Sequence, residues 1–296
     1  MPPPPHDPAR RPEPTARARE FYQRYAPRYD HETSYYDRFL LGDGRAWVCS
    51  QARGAVLEVA IGTGRNLPFY PHGVRLVGID LTPAMLAIAR DRARKLRMDV
   101  TLVEGDAEAL PFLDDSFDTV VCTLALNAIA DHETAIAEMY RVLEPTGKLL
   151  LVGHVASHYT VVRAMQRLLE RKSIPIAGDH QTRQPVPVLR AAGFTIQGQK
   201  RSRAGIIQRI IAVKPPRGSR VSRRRGAAHC PDRQRCSPSP RQARGCAGHC
   251  RGLRGRDGRC RVRDRSPAEA AVDRLAFVLG AAGIFDHPRD DRRTAA

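Results

Sequence analysis

Short apolar runs alternate with amphipathic stretches along the first 215 residues of the chain. Apolar runs of strand length occur at residues 56–60, 75–79, 100–103, 119–123 and 148–152. From Asp131 to Leu143, residues Ile136, Met139 and Tyr140 recur at helical spacing. Strands and helices in alternation predict an α/β fold, with a mostly parallel sheet covered by helices on both faces.

Further helices and strands are predicted at both ends of this region. Apolar residues three and four positions apart predict two N-terminal helices, one from Thr15 through Tyr29 and one from Tyr35 through Val48. Further helices are predicted over 66–70, 85–96 and 161–169, and another ending at 192–193. Two alternating stretches, 194–199 and 205–213, lie close enough in sequence to pair as an antiparallel hairpin. The expected fold is Rossmann-like, with seven strands and an antiparallel edge.

Polar or small residues follow the ends of the first four predicted strands. They are Glu58, Gly62, Gly64, Asp80, Gly105, Asp106, Ala107 and Thr123. A ligand of an open parallel sheet lies beyond the carboxyl ends of the strands, where the strand order reverses. These residues are therefore predicted to meet at one ligand site, although a single Gly-x-Gly turn is more often only a tight loop.

The residue types indicate a nucleoside ligand. Glycines allow the backbone to come close to a ligand, and a carboxylate such as Asp80 can accept hydrogen bonds from two ribose hydroxyls. Asp106 can accept from the exocyclic amine of adenine, with the Ala107 amide available for a ring nitrogen.

Charge around the glycine turn favours one cofactor over another. A dinucleotide site would favour a third glycine three residues beyond Gly64, where the chain has Leu67. Glu58 places negative charge near the site, which repels a pyrophosphate and suits an ammonium and a sulfonium. S-adenosylmethionine is therefore the expected cofactor, and an oxidoreductase with a nicotinamide dinucleotide is the alternative.

Five motifs in order resemble one family. They are V-L-E-V-A-I-G-T-G-R-N-L at 56–67, G-I-D-L-T-P-A-M-L at 78–86, G-D-A-E-A-L-P-F at 105–112, S-F-D-T-V-V at 116–121 and M-Y-R-V-L-E-P-T-G-K-L-L-L at 139–151. The chain from about residue 20 to 214 resembles the type 11 methyltransferases, which include ubiquinone/menaquinone-biosynthesis C-methyltransferases and bacterial phosphatidylethanolamine N-methyltransferases. It departs from them at Ala60 and Thr146, where the family usually or often has glycine.

The resemblance implies methyl transfer from S-adenosylmethionine to a small-molecule or lipid-like acceptor, with no metal. It assigns the methionine moiety to Glu58, Gly62, Gly64 and Thr123, the ribose to Asp80, and the adenine to Asp106 and Ala107, with Thr63 and Leu81 as further cofactor-binding residues. In the lead-in Tyr25-Ala-Pro-Arg-Tyr29-Asp30, a tyrosine, here Tyr29, would approach the cofactor. His154 is the candidate general base, needed only if the acceptor must lose a proton, and His180 is a second candidate.

Composition separates the last 81 residues from the rest. The chain has a net charge of +18, and residues 216–296 hold 20 arginines, no lysine and 8 acidic residues, hence +12 of it. This stretch is too poor in large apolar residues to form a core, so it is predicted to be mostly disordered. The predicted domains are a proline-rich disordered leader over 1–14, a methyltransferase domain over 15–215 and an arginine-rich tail over 216–296.

The tail leaves other functions open. Its arginines could contact nucleic acid without sequence preference, so the alternative function is nucleic-acid binding on a methyltransferase-like scaffold. A GC-rich gene read past its normal end would also give this composition. Cys246, His249 and Cys250 match no paired zinc pattern.

The remaining features concern location. Cys49 and Cys122 lie in apolar contexts typical of core residues, and no apolar run reaches the roughly 20 residues of a membrane span. The sequence therefore predicts a cytoplasmic protein without a transmembrane segment, and it gives no indication of oligomeric state.

Overall fold

A computed structural model of the chain describes residues 13–218, and all structural statements below concern that range. Its helices are α1 (Glu13–Tyr36), α2 (Gly44–Cys49), α3 (Pro83–Leu96), α4 (His132–Val142), α5 (Thr160–Ala177) and α6 (Pro185–Ala191). Its strands are β1 (Ala55–Val59), β2 (Arg75–Asp80), β3 (Val100–Glu104), β4 (Phe117–Thr123), β5 (Leu143–His154), β6 (Thr195–Ser202) and β7 (Ile207–Val213).

The seven strands form one sheet in the order β3-β2-β1-β4-β5-β7-β6. Strands β1 to β5 pair in parallel, whereas β7 pairs antiparallel with both β5 and β6. The strand order reverses between β1 and β4, which is the switch point where ligands bind in such folds. The predicted fold, including its antiparallel edge, is confirmed.

Apolar side chains fill a core on each face of the sheet. Val56 and Leu57 are both fully buried but belong to different clusters, as do Leu150 and Leu151. Successive strand residues point to opposite faces, so a strand covered on both sides needs an almost continuous apolar run. For this reason the central strands could be predicted from continuous apolar runs in the sequence.

The N-terminal helices differ from the prediction in their boundaries. One long helix, α1, includes Tyr35 and Tyr36 and begins at Glu13, inside the predicted leader. A π-helical turn follows over Asp37–Leu41, and the short helix α2 begins only at Gly44. The chain turns at Gly42, whose φ of +59° suits glycine. The predicted break before Tyr35 was wrong because no residue there stops the helix.

Two further local predictions need correction, and one helix start shows an unused cap. Leu67–Phe69 form a single 3-10 turn in place of a helix over 66–70, and α5 extends to Ala177, past the predicted end at residue 169. Thr82 stands at the N-cap position of α3 but does not cap it with its side chain. Its hydroxyl donates to Asp80 at 2.7 Å instead, because that buried carboxylate is within reach.

The structure describes the predicted core cysteines and tests for membrane-spanning helices, but it does not describe the two termini. Cys49 and Cys122 are buried thiols, as predicted. Among residues 13–218, no helix is both long enough and apolar enough to cross a membrane. The leader up to residue 12 and residues 219–296, with the Cys246–Cys250 segment, lie outside the described residues.

Candidate functional site: an adenosine-type cavity at the switch point

A cavity of about 830 Å³, counting the space open at its mouth, lies at the carboxyl ends of β1 to β4. The strand-end residues that line it are Gly62, Asp80, Leu81, Asp106, Ala107 and Thr123, together with Tyr29 from α1. The structure therefore brings together seven of the ten residues predicted to bind the cofactor.

Asp80 is buried at the end of β2 and also shapes the site. Its Oδ2 accepts a hydrogen bond from the Gly62 amide at 2.8 Å, and its Oδ1 accepts from the amide and hydroxyl of Thr82. Burial raises the pKa of the Asp80 carboxyl, and these hydrogen bonds act in the opposite direction. A carboxylate has about four acceptor positions, so Asp80 retains capacity to accept from a ligand hydroxyl.

The two glycines of the turn after β1 have different roles. At Gly62 (φ +58°) an added Cβ would meet nothing within 4 Å, so this backbone faces the cavity. At Gly64 (φ +75°) an added Cβ would approach a Leu67 methyl carbon at 2.9 Å and Ala89 Cβ at 3.2 Å. Gly64 thus allows α3 to pack closely against the turn and does not line the cavity.

Asp106 and Ala107 line the cavity beyond β3. Asp106 Oδ1 accepts the Glu108 amide at 2.9 Å, which fixes the carboxylate in a tight turn. Glu108, which the sequence did not single out, also lines the cavity, and burial raises the pKa of its carboxyl.

Glu58 lies behind the cavity wall in a buried hydrogen-bond network. Asn66 Nδ2 donates to Glu58 Oε1 at 2.8 Å and to Thr123 Oγ1 at 2.9 Å, and the Tyr70 hydroxyl donates to Glu58 Oε2 at 2.9 Å. Burial raises the pKa of Glu58 to about 7, although these donors and the nearby Arg45 oppose the shift. Glu58 therefore does not line the cavity. Thr123 does line it, and Asn66 connects the two residues.

Helix α1 covers the cavity with one face. Thr15, Ala18, Tyr22 and Tyr29 line it at helical spacing. Tyr22 was not predicted, while Tyr25 does not line the cavity. Thr15 is buried on this face, where its side chain opposes the rise that burial causes in the pKa of Glu108.

Charged side chains join α1 to the turn after β1. Thr63 Oγ1 donates to Asp30 Oδ1 at 2.6 Å, and Arg92 donates to the other oxygen of Asp30. Arg92 also donates to the Thr63 carbonyl at 2.8 Å. Thr63 thus anchors the covering helix and does not itself line the cavity.

His154 lies at the end of β5, outside this cavity. Its Nδ1 is 3.2 Å from the Tyr36 hydroxyl, and its Nε2 is 3.2 Å from Asp179 Oδ1. It lines a separate, smaller cavity with Cys122 and Gln208. His180, the second candidate base, donates its backbone amide to the Asn127 carbonyl at 3.0 Å and lines neither cavity.

Arg183 holds the apolar wall formed by the segment after β4. Its guanidinium donates to the carbonyl oxygens of Leu126, Ile129 and Ala130, the last at 3.0 Å. Nothing in the sequence could single out Arg183, because its partners lie more than 50 residues away.

The residues that line the cavity are of types that suit an adenosine-bearing ligand. Gly62 opens backbone space where a side chain would stand, and carboxylates are presented by Asp80 at the end of β2 and by Asp106 beyond the neighbouring β3. These groups match a ribose and an adenine amine. If S-adenosylmethionine is bound here, Asp80 and Asp106 hold its nucleoside, while Gly62 and Thr123 lie towards its methionine end.

The fold and this site define the class I methyltransferases. A family profile described as a methyltransferase domain matches residues 57–151. The chain is 36% identical over 170 residues to a demethylmenaquinone methyltransferase of Deinococcus radiodurans, covering 54% of this chain and 69% of that protein. It is 37% identical over 120 residues to a phosphatidylethanolamine N-methyltransferase of Cereibacter sphaeroides, covering 40% of this chain and 59% of that one.

A solved structure agrees in fold. An S-adenosylmethionine-dependent methyltransferase of Thermotoga maritima superposes with a TM-score of 0.52 at 22% identity, covering 66% of this chain and 99% of its own. The chain belongs to the type 11 methyltransferase family, and its cofactor is S-adenosylmethionine. The predicted resemblance and cofactor are confirmed.

Proposed function

We propose that the protein transfers a methyl group from S-adenosylmethionine to a small, lipid-like acceptor. The observation that carries this proposal is the apolar wall of the cavity, formed by Ala125, Ala128, Ile129 and Ala130. Such a wall suits an acceptor with a hydrocarbon part. The names of the two bacterial relatives, a menaquinone-precursor and a phospholipid methyltransferase, support the same acceptor class.

Methyl transfer from S-adenosylmethionine requires little from the protein beyond positioning of the reactants. S-adenosylmethionine supplies a methyl group on a sulfonium, which is already an activated leaving group. The protein must hold the acceptor in line and exclude water. Helix α1, with Tyr22 and Tyr29 over the cavity, serves the second task.

The base role of His154 stays a prediction. Its ring nitrogens face Tyr36 and Asp179, so the ring must leave one of them to reach an acceptor. His154→Gln separates the two roles. Loss of kcat together with loss of the acidic limb of its pH profile indicates a base, whereas lower thermal stability with unchanged kcat indicates a structural role.

A transfer assay with purified full-length protein tests the acceptor class. Methyl-labelled cofactor is offered with phosphatidylethanolamine vesicles, a demethylated menaquinone in detergent, or phosphoethanolamine in water. We expect label in the organic phase with one of the two lipid acceptors. Label only in the aqueous product would overturn the proposal.

A cavity variant provides the control for this assay. Ala128→Phe should lower kcat/KM for the lipid acceptor, since Ala128 lies in the apolar wall. The Kd for S-adenosylhomocysteine is measured beside it, because Ala128 lines the same cavity as the predicted cofactor residues, and a weakened Kd would assign the effect to the cofactor. Nucleic-acid contact through the tail and a cytoplasmic location remain predictions.

A further inference from the structure

Helix α5 exposes an apolar stripe that the core does not use. Val161 is 69% exposed, Leu168 61% and Ile176 44%. Ala164 and Pro175 are exposed between them, and the spacing of these residues places most of them along one side of the helix. Tyr159, just before the helix, is 46% exposed.

Basic side chains lie beside and within this stripe. Arg167 and Arg171 are exposed one turn apart on one side of it, and Lys172 is exposed within it, one turn from both Leu168 and Ile176. The single acidic residue of α5, Glu170, does not oppose them. Its carboxylate accepts from the Thr182 amide at 2.7 Å and from the Thr182 hydroxyl, so it is bound by the following loop.

The opposite face of α5 is fixed to the protein. Val162 and Gln166 are buried there. Gln166 Nε2 donates to the carbonyl oxygens of Val155 at 2.9 Å and Gln181 at 3.0 Å. The helix is therefore anchored through one face, and its exposed apolar side chains are not needed for that anchoring.

The end of α5 lies beside the cavity wall. An added Cβ on Gly178, its C-cap residue, would stand 3.9 Å from Ala18 Cβ and 3.7 Å from the Ala128 carbonyl oxygen. Both alanines line the cavity. The next loop is bonded to the same wall through His180 and Arg183. A surface on which α5 rested would thus be close to the cavity.

We propose that α5 docks on a bilayer surface that contains anionic lipid. An apolar stripe bordered by arginine and lysine is the pattern of helices that lie in a membrane interface, and basic residues there gain from the negative surface potential. The arginines beside the stripe favour this occupant over residues 216–296, which carry 20 arginines against 8 acidic residues. The biological purpose, delivery to a lipid-borne acceptor, rests on the proposed function, but the docking itself does not.

Tryptophan fluorescence of the full chain tests the docking site by site. The protein has one tryptophan, Trp47, so Trp47→Phe gives a silent background. In it, Leu168→Trp should shift its emission to the blue with phosphatidylcholine vesicles containing phosphatidylglycerol. Gln197→Trp, on exposed β6, should not. No shift at residue 168, or equal shifts at both positions, overturns the proposal.

Charge reversal provides the second arm of the test. Arg167→Glu with Arg171→Glu should weaken vesicle binding of the Leu168→Trp protein about tenfold or more. The matched control, Arg90→Glu with Arg190→Glu, reverses two exposed arginines elsewhere and should change it little. Equal weakening by both pairs would assign the binding to net charge and overturn the α5 site. No cofactor or acceptor is present, so failed methyl transfer to a lipid cannot produce any of these results.

Discussion

The Gly62 amide donates a hydrogen bond to Asp80 Oδ2 at 2.8 Å, which joins the end of β2 to the glycine turn after β1. The carboxylate proposed to bind the ribose therefore also holds the backbone that faces the methionine end of the cavity. Because Asp80 is buried, its loss affects both parts of the cofactor site at once.

Asp80→Asn should weaken S-adenosylhomocysteine binding by at least about tenfold, since a lost hydrogen bond to a charged group is worth about 1.5–3 kcal/mol. Asparagine has nearly the same size, and its oxygen can still accept from Thr82. Its NH2 group, however, would face the Gly62 amide, and two hydrogen-bond donors cannot bond to each other. Titration calorimetry measures the effect. Asp91→Asn, on the exposed side of α3, is the control, and an unchanged Kd for Asp80→Asn would refute the ribose assignment.

Asn66→Ala should destabilise the protein and weaken cofactor binding together. The substitution leaves buried Glu58 Oε1 and the Thr123 hydroxyl without their donor, at a cost of about 1–3 kcal/mol. Chemical denaturation gives the free energy of unfolding, and calorimetry gives the Kd. Gln197→Ala, on an exposed strand position, should change neither. A destabilised Asn66→Ala protein with wild-type cofactor affinity would show that Thr123 needs no positioning.

The seven strands, the antiparallel edge and most of the cavity-lining residues could be predicted because each depends on local sequence. A two-sided core demands continuous apolar runs, and a strand end is visible where such a run stops. The contacts of Glu58, Thr63 and Gly64 could not be predicted, because they are made with Asn66, Asp30 and Ala89, which approach only in the fold. The long α1 helix was divided wrongly because apolar spacing alone does not mark a helix boundary, and the capping-type residues Asp30, Thr33 and Ser34 lie inside the helix.

Glu58 should make the stability of the protein depend on pH between about 4.5 and 7. Burial raises its pKa to about 7 from an ordinary value of 4.5, so the folded protein holds a proton over a range where the unfolded chain has released it. The free energy of unfolding should therefore fall as pH rises through this range, by about 2–3 kcal/mol from this group.

Glu58→Gln isolates this contribution. Glutamine cannot ionise, so the difference in unfolding free energy between wild type and variant should shift in favour of the variant as pH rises from about 4.5 to 7. Urea denaturation at several pH values measures it. A constant difference across the range would mean that Glu58 ionises at its ordinary pKa in the folded protein.

Thr146→Gly should stabilise the protein without affecting the site. Thr146 has a φ of +71°, and Ala60, the other position where the family has glycine, has a φ of +54°. Side chains other than glycine are strained in this region, and a β-branched one most of all. Glycine also gives the unfolded chain more backbone entropy, which costs stability, but the relief of strain should exceed this cost. The free energy of unfolding should therefore rise by about 0.5–1 kcal/mol. Thr146 is exposed and far from the cavity lining, so S-adenosylhomocysteine affinity should not change.

Thr195→Gly is the control and should destabilise the protein. Thr195 is an exposed residue of strand β6 without a positive φ, where threonine is favoured. If both substitutions lowered the melting temperature equally, backbone strain at Thr146 would be excluded as the reason for glycine in the family.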